Sequence, residues 1–440
     1  MEDKNKVEPR IQAGFMELLP AEQILFNKYL KIIRDTYEEF GFVPQETPMV
    51  ENADILFAQI GEDTKKEIYR FTKGGDDLGL RFDLTVPLAR YVAMYSNSLT
   101  FPFRRYQIGK VYRGERPQKG RFREFYQCDI DIIGNGTLSL VNDAEIPAVI
   151  NRVFENLNLG EFLISINNRK ILSGLVDSLG YLDKIDEVLR AIDKWEKVGQ
   201  ETVRLMLTED LGMKAVDVEK IIQFVKITGS NKQILEKLDS FEIKNELFTL
   251  GVNELKEVVE KALDFGVPEK NLQIDLSIAR GLSYYTGTVY ETKLLDERIS
   301  GSVCGGGRFD NLADSYTNQR LPGVGVSIGL TRLFSQLVSS GMVKAEISTV
   351  AKVLIVPMDK VSEFAIKTAS EMRSAGIPVE LFTEEDKFRK KLNYANKVGV
   401  PYVAIIGDEE EKQKKIALKN MQSGEQELVD IKTAIAKILS

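Results

Sequence analysis

Histidine is absent from all 440 residues of the chain. Without imidazole there is no Ser-His-Asp or Cys-His catalysis and no His-ligated zinc, so any chemistry must run on Arg, Lys, carboxylates, hydroxyls, backbone groups or a hard cation. Cysteine is nearly as scarce. Cys128 and Cys304 lie far apart, each in a strand-like setting, and reduced, partly buried thiols are expected rather than a disulfide or a metal pair. No apolar run approaches bilayer length. The N-terminal MEDKNKVEPRIQAGF lacks the apolar core of a signal peptide, so a cytoplasmic location is expected.

What the chain does contain is a soluble, globular balance of 43% hydrophobic and 28% charged residues, and its length predicts two or three domains. The net charge of −7 is unevenly spread. Between Arg104 and Glu124 stand eight Lys or Arg against only Glu115 and Glu124, a local charge of +6 that leaves −13 for the rest. Such a contrast marks a place where anions gather.

Spacing then organises the chain. Residues 21–40 put Phe26, Tyr29, Leu30, Ile33, Tyr37 and Phe40 on one helical face after Pro20, and FVPQETPMV reads as extended because each proline keeps its predecessor out of the helical region. Residues 103–113 and 121–134 read as two strands of a long hairpin with a basic tip. Residues 172–262 are helical and Lys/Glu-rich, like an inserted module, and strand-like sequence returns from LQIDLSIARGLSYYTGTVYET to GVGVSIGLTRLF. Beyond Thr349, short apolar strands alternate with helices, as in a small α/β domain with a largely parallel sheet. The predicted division is 1–171, 172–262, 263–345 and 350–440.

Several segments could carry chemistry. In the second hairpin strand Arg123, Phe125, Gln127, Asp129 and Asp131 share one face, while Tyr126, Cys128, Ile130 and Ile132 share the other. A face bearing amide and carboxylate beside arginines can bind a small zwitterion next to a phosphate, or it can be a solvated face of surface ion pairs. In LRFDLTVPLARY, Asp83 and Thr85 would share a face in a strand and suit an ammonium group; the same pair before a proline also fits a helix cap or turn. ARGLSYYTG sets an arginine beside two tyrosines able to bound an aromatic ring, or simply buried in a strand. CGGGRFD lets backbone approach a ligand closely, or forms a glycine-rich turn between strands. GVGVSIGLTRLF reads as a strand running into a helix with Arg332 near its start.

The order and wording of these segments resemble a family, the class II aminoacyl-tRNA synthetases, and within it the histidyl-tRNA synthetases. FGFVPQETPMVE is similar to the family's first motif, with Pro48 its proline, and VYRGERPQKGRFREFYQCDIDIIG to the second. IARGLSYYTGTVYE and SVCGGGRFDNL resemble the two histidine-specific motifs, GVGVSIGLTRLF the third motif, and KKLNYANKVGVPYVAIIGDEE the anticodon-binding domain. The resemblance implies an α+β fold: an antiparallel catalytic sheet flanked by helices, a helical insertion, and a C-terminal α/β anticodon-binding domain.

It also implies ATP-dependent activation of L-histidine to histidyl-adenylate, with Mg2+ accompanying ATP, and transfer to the 3′ end of tRNA(His). Arg113 would hold the α-phosphate with Glu115 near the nucleotide, Arg280 would be a second arginine on the α-phosphate, and Arg332 would bind the γ-phosphate. Asp83, Thr85 and Gln127 would receive the ammonium end, and Asp131, Tyr284 and Tyr285 would read the imidazole. Arg116, Gln118 and Arg123 would meet the tRNA acceptor end. A homodimer is implied, with the first motif at its interface. The chain departs from the usual family wording at Ser283 and Thr331, where acids are common, and at AGFMELLP. A non-catalytic paralogue that regulates the first enzyme of histidine biosynthesis is the alternative, but it resembles the catalytic core only and tends to lose the motif arginines that stand here at 113, 280 and 332.

Overall fold

Pro20 opens the first helix where the spacing places it. α1 (Pro20–Glu39) runs into a turn that Gly41 makes at φ 74°, a left-handed conformation open to glycine. The computed structural model describes residues 7–58, 61, 65–118, 120–241, 243–278 and 284–439. They fall into two compact units, one holding Leu30–Met342 with the residues up to Met16, the other Glu17–Tyr29 with Val343–Ser440. After α1 the two-proline segment is extended as expected, giving β1 (Val43–Pro44) and β2 (Val50–Asn52). β2 joins β3 (Arg70–Lys73) and β4 (Asp76–Leu80) in a small antiparallel sheet, and α2 (Thr85–Tyr95) follows.

The larger unit is built on the expected hairpin. β5 (Phe103–Tyr112) and β6 (Glu124–Ile133) pair antiparallel from Phe103 opposite Ile133 to Tyr112 opposite Glu124. With β7 (Phe162–Asn168), β8 (Leu272–Ile274), β9 (Thr288–Leu294), β10 (Cys304–Phe309) and β11 (Gly323–Gly329) they form an eight-stranded sheet in the order β1-β5-β6-β11-β10-β9-β7-β8. Only the outermost pairs, β1 with β5 and β8 with β7, are parallel.

Strand alternation divides the two faces of this sheet. Cys128, Ile130 and Ile132 of β6 and Val324, Val326 and Ile328 of β11 are all buried. The sheet packs against α3 (Val141–Leu157) and α6 (Leu330–Ser339), and the Tyr37 hydroxyl of α1 donates to the Cys128 carbonyl at 2.9 Å. Both cysteines are free and fully buried, more so than their sequence setting suggests. The helical stretch begins with α4 (Arg169–Ser178) and ends with α5 (Glu246–Asp264), which packs on α3, α4 and β7.

The smaller unit carries β12 (Val353–Pro357), α7 (Glu363–Ser374), β13 (Val379–Leu381), α8 (Phe388–Val398), β14 (Tyr402–Ile406), β15 (Ile416–Asn420), β16 (Gln426–Val429) and α9 (Ile431–Leu439). VLIVP is apolar throughout because both its faces are covered. Val353 and Ile355 pack with Ala369, Met372 and Ile438, and Leu354 and Val356 with Ala395 and Val403. The sheet is less parallel than the strand–helix alternation predicts: β13, β12 and β14 are parallel, but β15 and β16 return as an antiparallel hairpin through a turn with Gly424 at φ 79°.

Candidate active site

Opposite its apolar face the large sheet carries a polar one, and register decides what stands on it. Residues directly across an antiparallel pair share a face, so Gln127, Asp129 and Asp131 on β6 align with Gly329, Ser327 and Gly325 on β11. On the other side they align with Gly109, Gln107 and Arg105 on β5. Further across, Gly305 and Gly307 of β10 lie on the same face, beside Glu291 and Val289 of β9. The glycines leave a hollow. It is a cavity of about 450 Å3 within the size range of small-molecule sites, lined by residues that include Asp83, Thr85, Arg113, Gln127, Asp131, Tyr284, Tyr285 and Arg332.

The triple glycine of CGGGRFD therefore sits in a fully paired interior strand, not in a turn. Gly325 across from it is required for close approach: a Cβ there would stand 2.3 Å from Asp131 Oδ1 and 2.4 Å from the Ile130 carbonyl oxygen. Asp83 and Thr85 are likewise not on a strand. They stand where chain enters α2, and Asp83 Oδ1 accepts the Val86 N–H at 3.0 Å, as a capping residue does.

One end of the cavity is rich in acceptors. Asp83 Oδ2, Gln127 Oε1 and Asp129 Oδ1 are buried and accept no hydrogen bond from the described residues. Burial pushes the Asp83 carboxyl above its usual range, with the Val86 N–H and Arg113 opposing. Burial, with Asp131 beside it, pushes Asp129 up to about 8, and burial raises Asp131 to about 6 against the pull of Arg105. Arg105 is fully buried, and its Nη2 lies 2.7 Å from Asp131 Oδ2 as an ion pair while hydrogen-bonding the Leu84 carbonyl at 3.0 Å. Gln127 donates through Nε2 to Ser327 Oγ at 2.7 Å.

Two aromatic rings wall this end. Tyr284 and Tyr285 meet edge to face with centroids 4.9 Å apart, and burial holds both phenols above their ordinary range. The residue after them is clamped. Thr286 donates its N–H to the Arg308 carbonyl at 2.8 Å and its hydroxyl to Asp310 Oδ2 at 2.5 Å. Arg308 holds Asp310 Oδ1 at 3.1 Å and Asp143 Oδ2 at 2.7 Å, so the charged half of the CGGGRFD segment fixes the tyrosine turn.

Guanidinium groups line the cavity as well. Arg113 lies 4.3 Å from the Phe82 ring centroid and 5.0 Å from that of Phe125, and burial draws its pKa down while Asp83 and Glu115 oppose. Arg332, in the first turn of α6, donates to the Ser300 carbonyl at 3.2 Å. The neighbouring Gly301 stands at φ 71°, where a Cβ would also fall 2.4 Å from Arg332 Nη2. Thr331 before it accepts the Tyr126 N–H at 2.8 Å, so this departure from the family's usual acid has a structural partner.

The basic run proves less charged than its sequence. Arg104 pairs with Glu145, Arg105 with Asp131, Lys110 with Glu124, and Arg121 with Glu115, each at 2.7 Å. Glu115 lines the cavity with Arg121 beside it. Arg116, Gln118 and Arg123 lie in the tip outside the lining; Gln118 and Arg121 exchange backbone hydrogen bonds, and Arg123 Nε donates to the Glu115 carbonyl at 3.1 Å. Arg280 and Ser283 fall outside the described residues. Period-2 patterning singles out Gln127 and Asp131 but gives no sign of Arg105, Ser327, Glu67 or Glu291, which register or chain approach brings to the same place.

Comparison with known proteins gives the chain its relatives. Residues 14–333 match the family model described as histidyl-tRNA synthetase, and residues 352–440 that of an anticodon binding domain. A histidine–tRNA ligase of Clostridium tetani is 53% identical over 433 residues, 98% of each chain. That of Finegoldia magna is 46% identical over 432 residues, 98% of this chain and 100% of its own. The crystal structure of histidyl-tRNA synthetase from Nostoc sp. PCC 7120 superimposes with a TM-score of 0.89 at 41% identity, covering 99% of both chains. A Bacillus halodurans structure described as an ATP phosphoribosyltransferase regulatory subunit/histidyl-tRNA synthetase shares the fold at a TM-score of 0.75 and 21% identity, over 92% of this chain and 99% of its own.

Proposed function

The chain belongs to the histidyl-tRNA synthetase family and charges tRNA with histidine, and we propose that it does so in the cavity between its buried carboxyls and its arginines. The observation that carries this reading is the polarity of the cavity. Three buried, unpartnered acceptor oxygens, of Asp83, Gln127 and Asp129, belong to residues that line the same cavity as the guanidinium groups of Arg113 and Arg332. An acceptor-rich pocket is satisfied only by a ligand rich in N–H donors, and guanidinium forks suit phosphate. A histidine joined to an ATP phosphate fits both at once.

In this reading Asp83, Thr85 and Gln127 receive the ammonium group, and Asp131, Tyr284 and Tyr285 read the ring. An amino acid without ring N–H groups leaves buried polar atoms unpaired, which is the basis of discrimination. The ATP phosphates lie against Arg113 and Arg332 with Glu115 near the nucleotide, and Arg280 joins them on the α-phosphate. The histidine carboxylate attacks the α-phosphorus, pyrophosphate leaves, and the arginines offset the charge that develops on the phosphoryl oxygens. The terminal hydroxyl of the tRNA then attacks the adenylate carbonyl and AMP leaves, with Arg116, Gln118 and Arg123 at the hairpin tip meeting the acceptor end. Mg2+ is proposed to accompany ATP on its phosphates.

The domain division at 172, 263 and 350, the homodimer and the cytoplasmic location remain part of the proposal; among the described residues no helix is long and apolar enough to cross a membrane. The regulatory alternative has less support, because the ligases compared above match along nearly the whole chain and the arginine end of the cavity is intact. Histidine-dependent exchange of pyrophosphate into ATP, with Mg2+, tests the reading. Wild-type protein is expected to be active and Arg332→Ala and Arg280→Ala to lose roughly 10²–10³-fold. No exchange by the wild type would overturn catalysis and favour the regulatory role.

A further inference from the structure

We propose that Asp129 is a third carboxyl of the amino-acid pocket, taking an N–H of the bound histidine between the contacts at Gln127 and Asp131. The proposal rests on the reading of this cavity as the histidine site and adds a residue to it. Asp129 occupies the middle of three same-face positions on β6. It stands about 7 Å along the strand from each of the other two, so a ligand held at both crosses over it. The row it belongs to leaves it open from above: Ser327 and Gln107 flank it, and the next position across β11 is Gly305.

The hydrogen bonds around it also leave one oxygen unused. Ser327 Oγ accepts from Gln127 Nε2 at 2.7 Å, which turns its own proton toward the Asp129 carboxyl. Asp129 Oδ1 is buried without a partner among the described residues. Arg105, the cation nearest in the register, is ion-paired with Asp131 at 2.7 Å, so Asp129 has only a share of its charge. A carboxyl pushed up to about 8 by burial and by Asp131 is in the condition of an acid awaiting a cation. A bound ammonium or ring N–H supplies one. A ligand without a donor at that point leaves the oxygen unsatisfied, so Asp129 sharpens the preference for histidine.

The test is calorimetric binding of L-histidine and, separately, of ATP with Mg2+ to the full chain and to Asp129→Asn, which keeps the shape and removes the charge. The expected result is histidine affinity weakened about tenfold or more with ATP affinity unchanged, ATP binding reporting that the site is folded. Should Asp129→Asn fail to bind ATP, the smaller Asp129→Ser repeats the comparison. Wild-type and variant chains binding histidine equally would overturn the role of Asp129 alone. A wild-type chain that binds no histidine would instead overturn the reading of the cavity.

Discussion

Arg105→Met exposes the electrostatics on which the amino-acid pocket stands. Methionine keeps an unbranched apolar stem and removes the guanidinium, which is fully buried and 2.7 Å from Asp131 Oδ2. Hydrogen bonds to the Leu84 carbonyl at 3.0 Å and Gln107 Oε1 at 3.2 Å go with it. Breaking a buried pair by removing one partner costs about 3–5 kcal/mol, a figure that takes in the two charge-assisted hydrogen bonds to neutral oxygens. The remainder is the stranded carboxylate of Asp131, held near Asp83. Arg105→Met/Asp131→Asn removes that charge and is expected to regain about 1–3 kcal/mol.

Urea unfolding of the whole chain at pH 8 measures this difference. The sign with pH follows from Asp131, whose carboxyl is already raised to about 6 with Arg105 in place and rises further without it. A folded-state pKa above the unfolded value means stability present at low pH and lost as pH rises through the folded pKa. The deficit of Arg105→Met should therefore grow from pH 5.5 toward pH 8 and shrink on acidification. If the double variant unfolds at the same urea concentration as Arg105→Met at pH 8, a stranded charge is not the cause and the account of the pocket is wrong.

Gly325→Ala places a Cβ 2.3 Å from Asp131 Oδ1 in a strand paired on both sides, where the backbone cannot retreat. Displacing that carboxylate should cut kcat/KM for histidine roughly 10²-fold in steady-state exchange kinetics and leave the KM for ATP unchanged; equal losses for both substrates would count against the steric account. Thr286→Val removes the hydroxyl that donates to Asp310 Oδ2 at 2.5 Å and so loosens the turn bearing Tyr284 and Tyr285. The KM for histidine should rise about tenfold, the worth of a hydrogen bond to a charged group, and Thr286→Ser should restore it; failure of the serine variant to rescue would show that Thr286 acts through packing instead.

Much of the fold was legible because local spacing and tertiary packing agree. The apolar face of residues 21–40 predicts α1, and the alternation of FYQCDIDII predicts β6 with its polar and apolar faces. Elsewhere the residues left more than one reading open, and the structure chose between them. CGGGRFD looks like a turn because glycine is a turn residue, but in β10 the glycines remove side chains from the cavity floor. Asp83 and Thr85 fit either a strand face or a helix cap by their spacing, and they stand at the entry to α2. In the basic run Glu145, Asp131, Glu124 and Glu115 each pair with one of its charges, while Arg113 lines the cavity. For the glycines and for Arg105 the deciding partner belongs to another strand, whereas for Asp83 it is Val86, three residues on.

Composition alone closed some chemistries: the absence of histidine excluded imidazole catalysis and His-ligated zinc, and the order of the motifs carried the family. Residue type and short-range period are local properties, and a single chain displays them in full. Only the tertiary structure decided that Arg105 serves Asp131 and not a phosphate, that Asp129 keeps an unpartnered oxygen, and that Arg308 and Asp310 clamp the tyrosine turn. Those outcomes depend on which residues strand register sets side by side, and β11 reaches β6 from about two hundred positions away in the sequence.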